Sequence, residues 1–360
     1  MRIRTIVTGA VVAAYIAGNA VAGAQVKKPP VNQTKGQAQT AGGVGQFGVT
    51  YSLKSGFNFT ILSAKYTLDP FTAYESLSAR DGQKMLVLDV AIKNINPSDN
   101  YFNTDALFAA YDETGAVYHP QMTLQSSGVK GWPSTLKPGQ GLGQPALHNP
   151  LQVGFMIPDK ARIVKVMLNT PLLLQKVDMV RYYIAGATKE EAGVAGNPKN
   201  IIAPLPDYAK DAKDKSGAVA LDEAAGTTGV YLPSGFFALR LDSFKLSADL
   251  IKGYVISADK QFAIATITAK YLGYDDRITM FHVIGGDFPS FQITNSEGDR
   301  SKPIAYLKAA RDEEVDHTFQ NGDEYQFRLI FTLPKEDTVK KLVLGSGQSH
   351  KFAYDVSTVK

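Results

Sequence analysis

The sequence contains no cysteine in its 360 residues. This absence excludes disulfide bonds, thiolate metal sites, a cysteine nucleophile and the lipid that bacterial lipoproteins carry on a cysteine after the signal peptide. Histidine is also scarce, and the five histidines stand far apart without an H-x-H or H-E-x-x-H pair: His119, His148, His282, His317 and His350. We therefore expect no zinc site and no bound cofactor.

The chain also lacks a block of basic residues and, after its N-terminal segment, any long apolar run. Its formal net charge is +4, with basic and acidic residues interspersed. This pattern gives no reason to expect nucleic acid as a partner. No stretch after residue 24 is long and apolar enough to cross a bilayer, so no membrane span is expected after the signal is removed.

The first 24 residues have the pattern of a signal peptide. Arg2 and Arg4 supply the positive start, and the segment from Thr5 to Ala22 is apolar and uncharged. Small residues at 20–22 and 22–24 both fit a cleavage site, and we favour cleavage after Ala24, before the polar stretch that begins at Gln25. The alternative is a retained membrane anchor. The sequence thus predicts an exported protein, periplasmic or extracellular.

The remaining composition is typical of β-structure. Hydrophobic residues make up 44% of the chain, which includes 17 Tyr and 18 Phe. Aromatic and β-branched residues pack well on pleated sheets. The length favours two domains. We predict an all-β fold of two tandem immunoglobulin-like antiparallel β-sandwiches: a signal peptide (1–24), a flexible tether (25–46), sandwich 1 (47–185), a linker (186–230) and sandwich 2 (231–360).

Several segments alternate between apolar and polar residues, as half-buried strands do. Between Lys84 and Lys93, one face carries Leu86, Leu88, Val90 and Ile92. Polar turn sequences such as Asp112-Glu113-Thr114-Gly115 separate such segments. The region 186–230 is rich in Ala, Gly, Pro, Lys and Asp instead, which is typical of a linker.

The two halves resemble each other at fixed offsets, which indicates an internal duplication. An offset of 176 places Phe155 on Phe331 and Pro158 on Pro334, and it places Leu86 on Phe262. Between these blocks the offset is 183, which aligns Asp112 and Gly115 with Asn295 and Gly298, respectively. Strands keep their register in such repeats while loops absorb differences in length.

A family resemblance follows from residues 82–94 (GQKMLVLDVAIKN), Asp112-Glu113-Thr114-Gly115, Leu136 to Gln140, and Val153 to Pro158. These pieces resemble the DUF4352-like family, a bacterial family of secreted, immunoglobulin-like modules of unknown function. The resemblance covers roughly residues 50–170 and fades over 235–355. It implies a β-sandwich at the cell envelope and no shared catalytic residues.

Motifs that could carry chemistry lack the context that the chemistry needs. Residues 43–48 match G-x-G-x-x-G, but a polar tether precedes them and strand signals follow, whereas a dinucleotide site opens a helix. Two acidic groups, 295–299 and 312–316, could bind calcium, although a hairpin turn and a solvated charge cluster explain them better. Residues 345–350 contain serines and His350 but fit a solvated turn. We therefore predict no catalytic, cofactor-binding or metal-binding residues.

One loop is a candidate for binding a partner. The second half gains seven residues within 269–294, a stretch that contains Tyr271, Tyr274 and Arg277. Extra loop length is often functional, and Tyr and Arg are favoured at binding hot spots. The alternative is that the tyrosines pack against an extended strand. Trp132 is a second candidate anchor, with a buried position under a loop as its alternative.

Two classes of function remain open. The first is a non-catalytic envelope protein that binds or scaffolds an unknown envelope protein or polymer, with loops presented by a rigid frame. The second is an enzyme, or an accessory domain of one, that acts on envelope polymers. A pocket with convergent acids or a His–acid pair would favour the enzyme.

Overall fold

The computed structural model describes residues 43–53, 55–72, 76–101, 107–124, 135–143, 151–170, 178–187, 196–206, 224–273, 278–279, 291–345, 347 and 349–359. They form two β-sandwiches, which we call the first module (described residues from 43 to 206) and the second module (224 to 359). The predicted all-β fold of two tandem, immunoglobulin-like sandwiches is confirmed. In the part of the chain that the structure describes, no helix has the length and hydropathy of a membrane span.

Sixteen strands belong to the first module: β1 (Gly43–Val44), β2 (Tyr51–Ser52), β3 (Phe57–Thr67), β4 (Phe71–Thr72), β5 (Ser76–Leu77), β6 (Gln83–Asn94), β7 (Asn100–Tyr101), β8 (Phe108–Asp112), β9 (Val117–Tyr118), β10 (Met122–Leu124), β11 (Thr135–Leu136), β12 (Gly141–Leu142), β13 (Gln152–Pro158), β14 (Ile163–Thr170), β15 (Asp178–Tyr183) and β16 (Ile202–Ala203). One sheet has the order β1-β15-β14-β8-β9. The facing sheet has the order β10-β13-β6-β3-β16, with β2 and β12 paired to β3 and β6.

Twelve strands belong to the second module: β17 (Ala224–Ala225), β18 (Leu232–Ser234), β19 (Phe237–Ser247), β20 (Lys260–Tyr271), β21 (Ile278–Thr279), β22 (Gln292–Asn295), β23 (Arg300–Ser301), β24 (Ala305–Lys308), β25 (Thr318–Phe319), β26 (Glu324–Pro334), β27 (Val339–Gly345) and β28 (Lys351–Asp355). Its sheets have the orders β17-β28-β27-β22-β23 and β18-β19-β20-β26-β24. The two modules therefore share one arrangement of their long strands.

The core of each module lies between its two sheets. In the first module, the rings of Phe59 on β3 and Phe108 on β8 meet with their centroids 5.5 Å apart, so side chains of the two sheets contact each other. Phe155 on β13 and Phe331 on β26 are fully buried at corresponding places. Most buried apolar side chains of the two modules belong to one contiguous cluster, which supplies the hydrophobic stabilisation that a chain without disulfides needs.

The turn after β8 and the turn after β22 have the same hydrogen-bond pattern, as expected for two copies of one fold. In the first module, Oδ1 of Asp112 accepts hydrogen bonds from the backbone N–H groups of Thr114 and Ala116, both at 2.9 Å. In the second module, Oδ1 of Asn295 accepts from Glu297 and Asp299, at 3.1 and 2.7 Å. The glycine that follows has a positive φ in each turn, 84° and 98°, a conformation that favours glycine. The predicted offset of 183 is confirmed here.

The strand registers confirm one predicted offset and correct another. Phe155 is paired with Leu86, and Phe331 is paired with Ala263, so the offset of 176 holds for the phenylalanines. Leu86 corresponds to Ala263, however, and the prediction that it corresponds to Phe262 is wrong by one residue. A shift of one residue moves a side chain to the other face of a sheet. Phe262 lies in a second apolar cluster with Ile251 and Leu307, apart from the main core.

The segment 196–206, which the sequence assigns to the linker, is part of the first module. Ile202 and Ala203 form a parallel strand beside Ala64 and Lys65 of β3. The second module likewise begins before residue 231, because Ala224 and Ala225 pair in parallel with β28.

Candidate functional site

The predicted partner-binding loop begins at Tyr271, the last residue of β20. The side chain of Tyr271 is fully buried. Its ring centroid lies 5.3 Å from that of Phe237 and 6.5 Å from that of Phe319. Tyr271 is therefore a core residue and offers no surface to a partner, as the alternative reading of this loop expects. Tyr274 and Arg277 lie outside the described residues, so a binding role for them stays a prediction.

The other sequence motifs have structural roles where they are described. The G-x-G-x-x-G segment forms β1 and a turn, in which Gly48 donates a backbone hydrogen bond to Ile61. Asp312 is 2.8 Å from Arg328, and Glu313 is 2.8 Å from Lys308, so both acids take part in ion pairs. Among the described residues, no group of three or more His, Asp or Glu side chains could hold a metal ion. Trp132, His148 and His282 lie outside the described residues.

The first module contains a cavity of about 440 Å³ at one end of the sandwich. Its walls come from the start of β14, the segment after β15 and the added strand β16. The described residues of the lining are mostly aliphatic, with one basic and one phenolic side chain: Tyr66, Arg162, Ile163, Val164, Ile184, Ala185, Gly186, Ala187, Ile201, Ile202 and Pro204. This volume and this lining are typical of sites for small molecules.

Asn200 holds the segment 196–206 in place and thereby builds one wall of the cavity. Its side chain is fully buried. The amide Nδ2 donates to the carbonyl oxygens of Gly45 and Tyr183, at 3.1 and 2.8 Å, and Oδ1 accepts from the N–H of Phe47 at 2.7 Å. All three bonds reach other parts of the module. A buried amide satisfied in this way fixes the backbone that carries it, so the adjacent wall is well defined.

Arg162 and Tyr66 are the polar side chains in the described part of the cavity lining. Nε of Arg162 lies 3.0 Å from Oε2 of Glu113, and the two side chains are 22% and 37% exposed. The hydroxyl of Tyr66 accepts a hydrogen bond from the N–H of Ile163 at 3.0 Å. Burial raises the pKa of Tyr66 to about 12, so its hydroxyl stays protonated at neutral pH. The Nζ of Lys84 lies 4.2 Å from the centroid of the Tyr66 ring, a cation–π contact.

At equivalent described positions, the second module has other residues than those that line this cavity. By strand register, Leu246 stands at the position of Tyr66. Thr338 stands at the position of Arg162, because the two carbonyls accept equivalent backbone hydrogen bonds. The carbonyl of Arg162 accepts from Glu113 in the turn after β8, and the carbonyl of Thr338 accepts from Ser296 in the turn after β22. The described residues of the second module end at Val359 and include no counterpart of the segment 196–206. Within the described residues, the first copy therefore has a cavity lining that the equivalent positions of the second copy do not reproduce.

A second polar cluster lies where the two modules meet. Nε2 of His350, in the second module, lies 2.6 Å from the carbonyl oxygen of Gln83 in the first. Nδ1 of His350 lies 4.0 Å from Asp81, and Arg80 forms a β-bridge with Ser349. His350 is almost completely buried. His350 is thus enclosed in the contact between the modules, whereas the side chain of Asp81 is 53% exposed, and neither residue belongs to the cavity lining described above.

Neither the cavity nor the junction is marked by a local motif in the sequence. The cavity lining comes from four separate stretches of the chain, 66, 162–164, 184–187 and 201–204. His350 was expected in a solvated turn, and that expectation is wrong, because the junction buries it. The useful signal for the cavity is the difference between the two copies at equivalent positions, Arg162 against Thr338 in particular.

The solved structures to which the chain is similar include the following three. One is an uncharacterized β-sandwich protein from Clostridium difficile (13% identity, 41% of this chain and 97% of that chain, TM-score 0.30). The second is the secreted protein MPT63 from Mycobacterium tuberculosis (15%, 37% and 97%, TM-score 0.28). The third is the yjhA protein from Bacillus subtilis (15%, 38% and 97%, TM-score 0.27). No model of a known protein family and no curated protein matches the sequence.

Proposed function

We propose that this protein is an exported, non-catalytic binding module, and that its first sandwich binds a small molecule in the cavity beside Arg162. The ligand has an aliphatic body and one polar or anionic head. The aliphatic lining suits the body, and the guanidinium suits a head that accepts hydrogen bonds. The observation that carries the proposal is the cavity itself, which the first copy builds with a segment that has no described counterpart in the second.

The chemical character of the lining supports binding over hydrolysis. Hydrolysis of envelope polymers usually needs paired carboxylates or a His–acid pair beside the substrate. Among the described residues, the lining of this cavity includes one arginine and one tyrosine and neither a carboxylate nor an imidazole. Glu113, the partner of Arg162, acts as its counterion at 3.0 Å.

Export to the cell envelope rests on the N-terminal sequence. Arg2, Arg4 and the apolar segment up to Ala22 have the pattern of a signal peptide. The family resemblance to secreted DUF4352-like modules agrees with this proposal. Ligands of the cavity are therefore expected among small molecules of the envelope or the medium.

The proposal is tested by purifying the mature protein from envelope extracts and identifying co-purified small molecules by mass spectrometry. The substitution Ala187→Leu places a larger side chain in the cavity wall and should remove the bound species. Val359→Leu is the matched control, because Val359 occupies the position of Ala187 in the second module. The N–H of Ala187 donates to the carbonyl of Ile184, and the N–H of Val359 donates to the carbonyl of Val356 in the equivalent turn. Equal recovery from both variants, or turnover of envelope polymer by the pure protein, would contradict the proposal.

A further inference from the structure

The strand β3 of the first module has neighbours along both of its edges. One edge pairs with β6 over its length. The other edge pairs with β2 at Asn58 and Phe59, and with β16 at Ala64 and Lys65. The backbone of β3 is thus enclosed on both sides in the first module.

Its counterpart β19 is enclosed only in part. β20 pairs with one edge, and β18 covers the other edge at Phe237, Ala238 and Leu239. By strand register, Phe244 and Lys245 are the positions that correspond to Ala64 and Lys65. In the described part of the chain, no strand pairs with this half of β19. Among the described residues, this half of β19 therefore has an open edge where β3 of the first module has β16.

Side chains are less buried on β19 than on β3, as expected for a strand with an open edge. In the first module, Ala64, Tyr66, Thr67 and Leu68 are all buried. At the same positions of the second module, the side chains are partly or fully exposed: Phe244, Leu246 and Ser247 are half-buried, and Ala248 is exposed. The side chains at these positions are therefore more exposed to solvent in the second module than in the first.

The features that usually protect an edge do not distinguish the two strands. Bulges and exposed lysines keep edge strands from pairing with other chains. β19 has a bulge between Leu241 and Ser243 and an exposed Lys245. β3 has the same bulge between Ile61 and Ser63 and an exposed Lys65, and it nevertheless accepts a parallel strand. The edge of β19 is therefore compatible with a strand of the same kind.

The first module also shows what chemistry the occupant of such an edge needs. The segment that contains β16 is extended and apolar, with the sequence Asn200-Ile201-Ile202-Ala203-Pro204-Leu205. Ile202 and Leu205 are buried against the core, whereas Ile201 is 61% exposed. The segment thus binds through backbone pairing and through two buried aliphatic side chains, which is the mode of β-strand addition.

We propose that the edge of β19 at residues 243–247 binds an extended, aliphatic segment of a partner protein, which adds a parallel strand to the second module. The described C-terminal residues do not cover this edge, because Val356 is bonded to Lys340 beside β27, in the opposite sheet. This site is independent of the small-molecule cavity, which lies in the first module.

Amide hydrogen exchange of the full-length mature protein tests the proposal. The probe is a synthetic peptide with the sequence of residues 199–206, KNIIAPLP. In the free protein, residues 243–247 should exchange at least about tenfold faster than residues 64–67, because unpaired strand edges are poorly protected. Saturating peptide should slow the exchange of 243–247 at least about fivefold and leave 64–67 unchanged. A peptide with Ile202→Pro, which cannot pair through that residue, is the control.

Three results would overturn the proposal that the edge of β19 binds a strand of a partner protein. Equal protection of 243–247 and 64–67 in the free monomer means that the chain itself covers the edge. Protection that appears only in a dimer, measured by light scattering, means that a second copy is the occupant. Exchange of 243–247 that the peptide does not change, or changes no more than the Ile202→Pro peptide does, means that the edge accepts no such strand.

Discussion

His350 of the second module and Gln83 of the first are joined across the junction, with Nε2 of the histidine 2.6 Å from the backbone oxygen of Gln83. The oxygen is an acceptor, so the neutral imidazole donates through Nε2. The carbonyl oxygen of His350 in turn accepts a hydrogen bond from the buried hydroxyl of Ser234 at 2.8 Å. The contact thus places a titratable group inside the boundary between the two modules.

We predict that acidification weakens the fold through His350. Burial lowers the pKa of His350 below its ordinary value of 6.5, and the Gln83 carbonyl, Asp81 and Asp159 offset this only in part. The unfolded chain therefore takes up a proton more readily than the folded chain as the pH falls below about 6.5. This contribution to stability is fully present above that pH and is lost below it. Burial also lowers the pKa of His317, which adds to the same trend.

Urea denaturation of the wild type and His350→Gln between pH 7.5 and pH 5 measures this effect. The free energy of unfolding of the wild type should fall more steeply with acidification, by up to about 1.4 kcal/mol per pH unit for one group. Parallel curves for the two proteins would show that His350 does not titrate between the folded and unfolded states.

Two glycines are expected to be irreplaceable because each lies against a buried tyrosine ring. A Cβ on Gly45 would lie 2.5 Å from Cε1 of Tyr182, and a Cβ on Gly226 would lie 2.6 Å from Cε2 of Tyr354. Substitution of either glycine by alanine should cost about 1–3 kcal/mol, the usual range for overpacking. Gly43→Ala is the control, because a Cβ there meets nothing within 4 Å. Thermal melts in which all three variants match the wild type would refute the close contact.

Phe155 and Phe331 should contribute similarly to stability, because they occupy the same position in the two copies. Both side chains are fully buried. Phe155→Ala and Phe331→Ala should each lower the free energy of unfolding by about 3–5 kcal/mol, measured by denaturant titration. Thr332→Ala, a neighbouring position that is only half-buried, should have a much smaller effect. A phenylalanine variant that melts within a degree or two of the wild type would be incompatible with a core position.

Much of the fold follows from the sequence, because turns and strand ends require particular residue types, which are visible in the sequence. Asp112 and Asn295 stand where a side-chain oxygen must accept hydrogen bonds from the N–H groups of a turn. The offset of 183 aligns these two residues with each other correctly. The error at Leu86 and Phe262 has a physical cause. Alternation identifies a core face only when the other face is polar, and β20 is apolar on both faces because Ile251 and Leu307 cover its outer side.

The cavity and the β19 edge could not be predicted in the same way. Both depend on the segment 196–206, which contains three prolines and stands in a region, 186–230, whose composition resembles a linker. Its attachment relies on the three side-chain hydrogen bonds of Asn200 to residues 17 or more positions away. A single asparagine with long-range partners leaves no periodic signal in the sequence.

We expect the signal peptide to be removed on export. The positive start at Arg2 and Arg4, the apolar segment and the small residues before Gln25 motivate this expectation. N-terminal sequencing of the exported protein should begin near Gln25. Recovery of a membrane-bound form that still carries residues 1–22 would instead support a retained anchor.

The central claim, that the first module binds an amphipathic small molecule through Arg162, is tested most directly by isothermal titration with octanoate as the probe. Wild-type protein should bind one equivalent. Arg162→Met should weaken binding at least about tenfold, equivalent to about 1.4 kcal/mol, whereas Thr338→Met, at the same position of the second module, should bind like the wild type. Failure of the wild type to bind octanoate, or equal affinities for all three proteins, would contradict the claim.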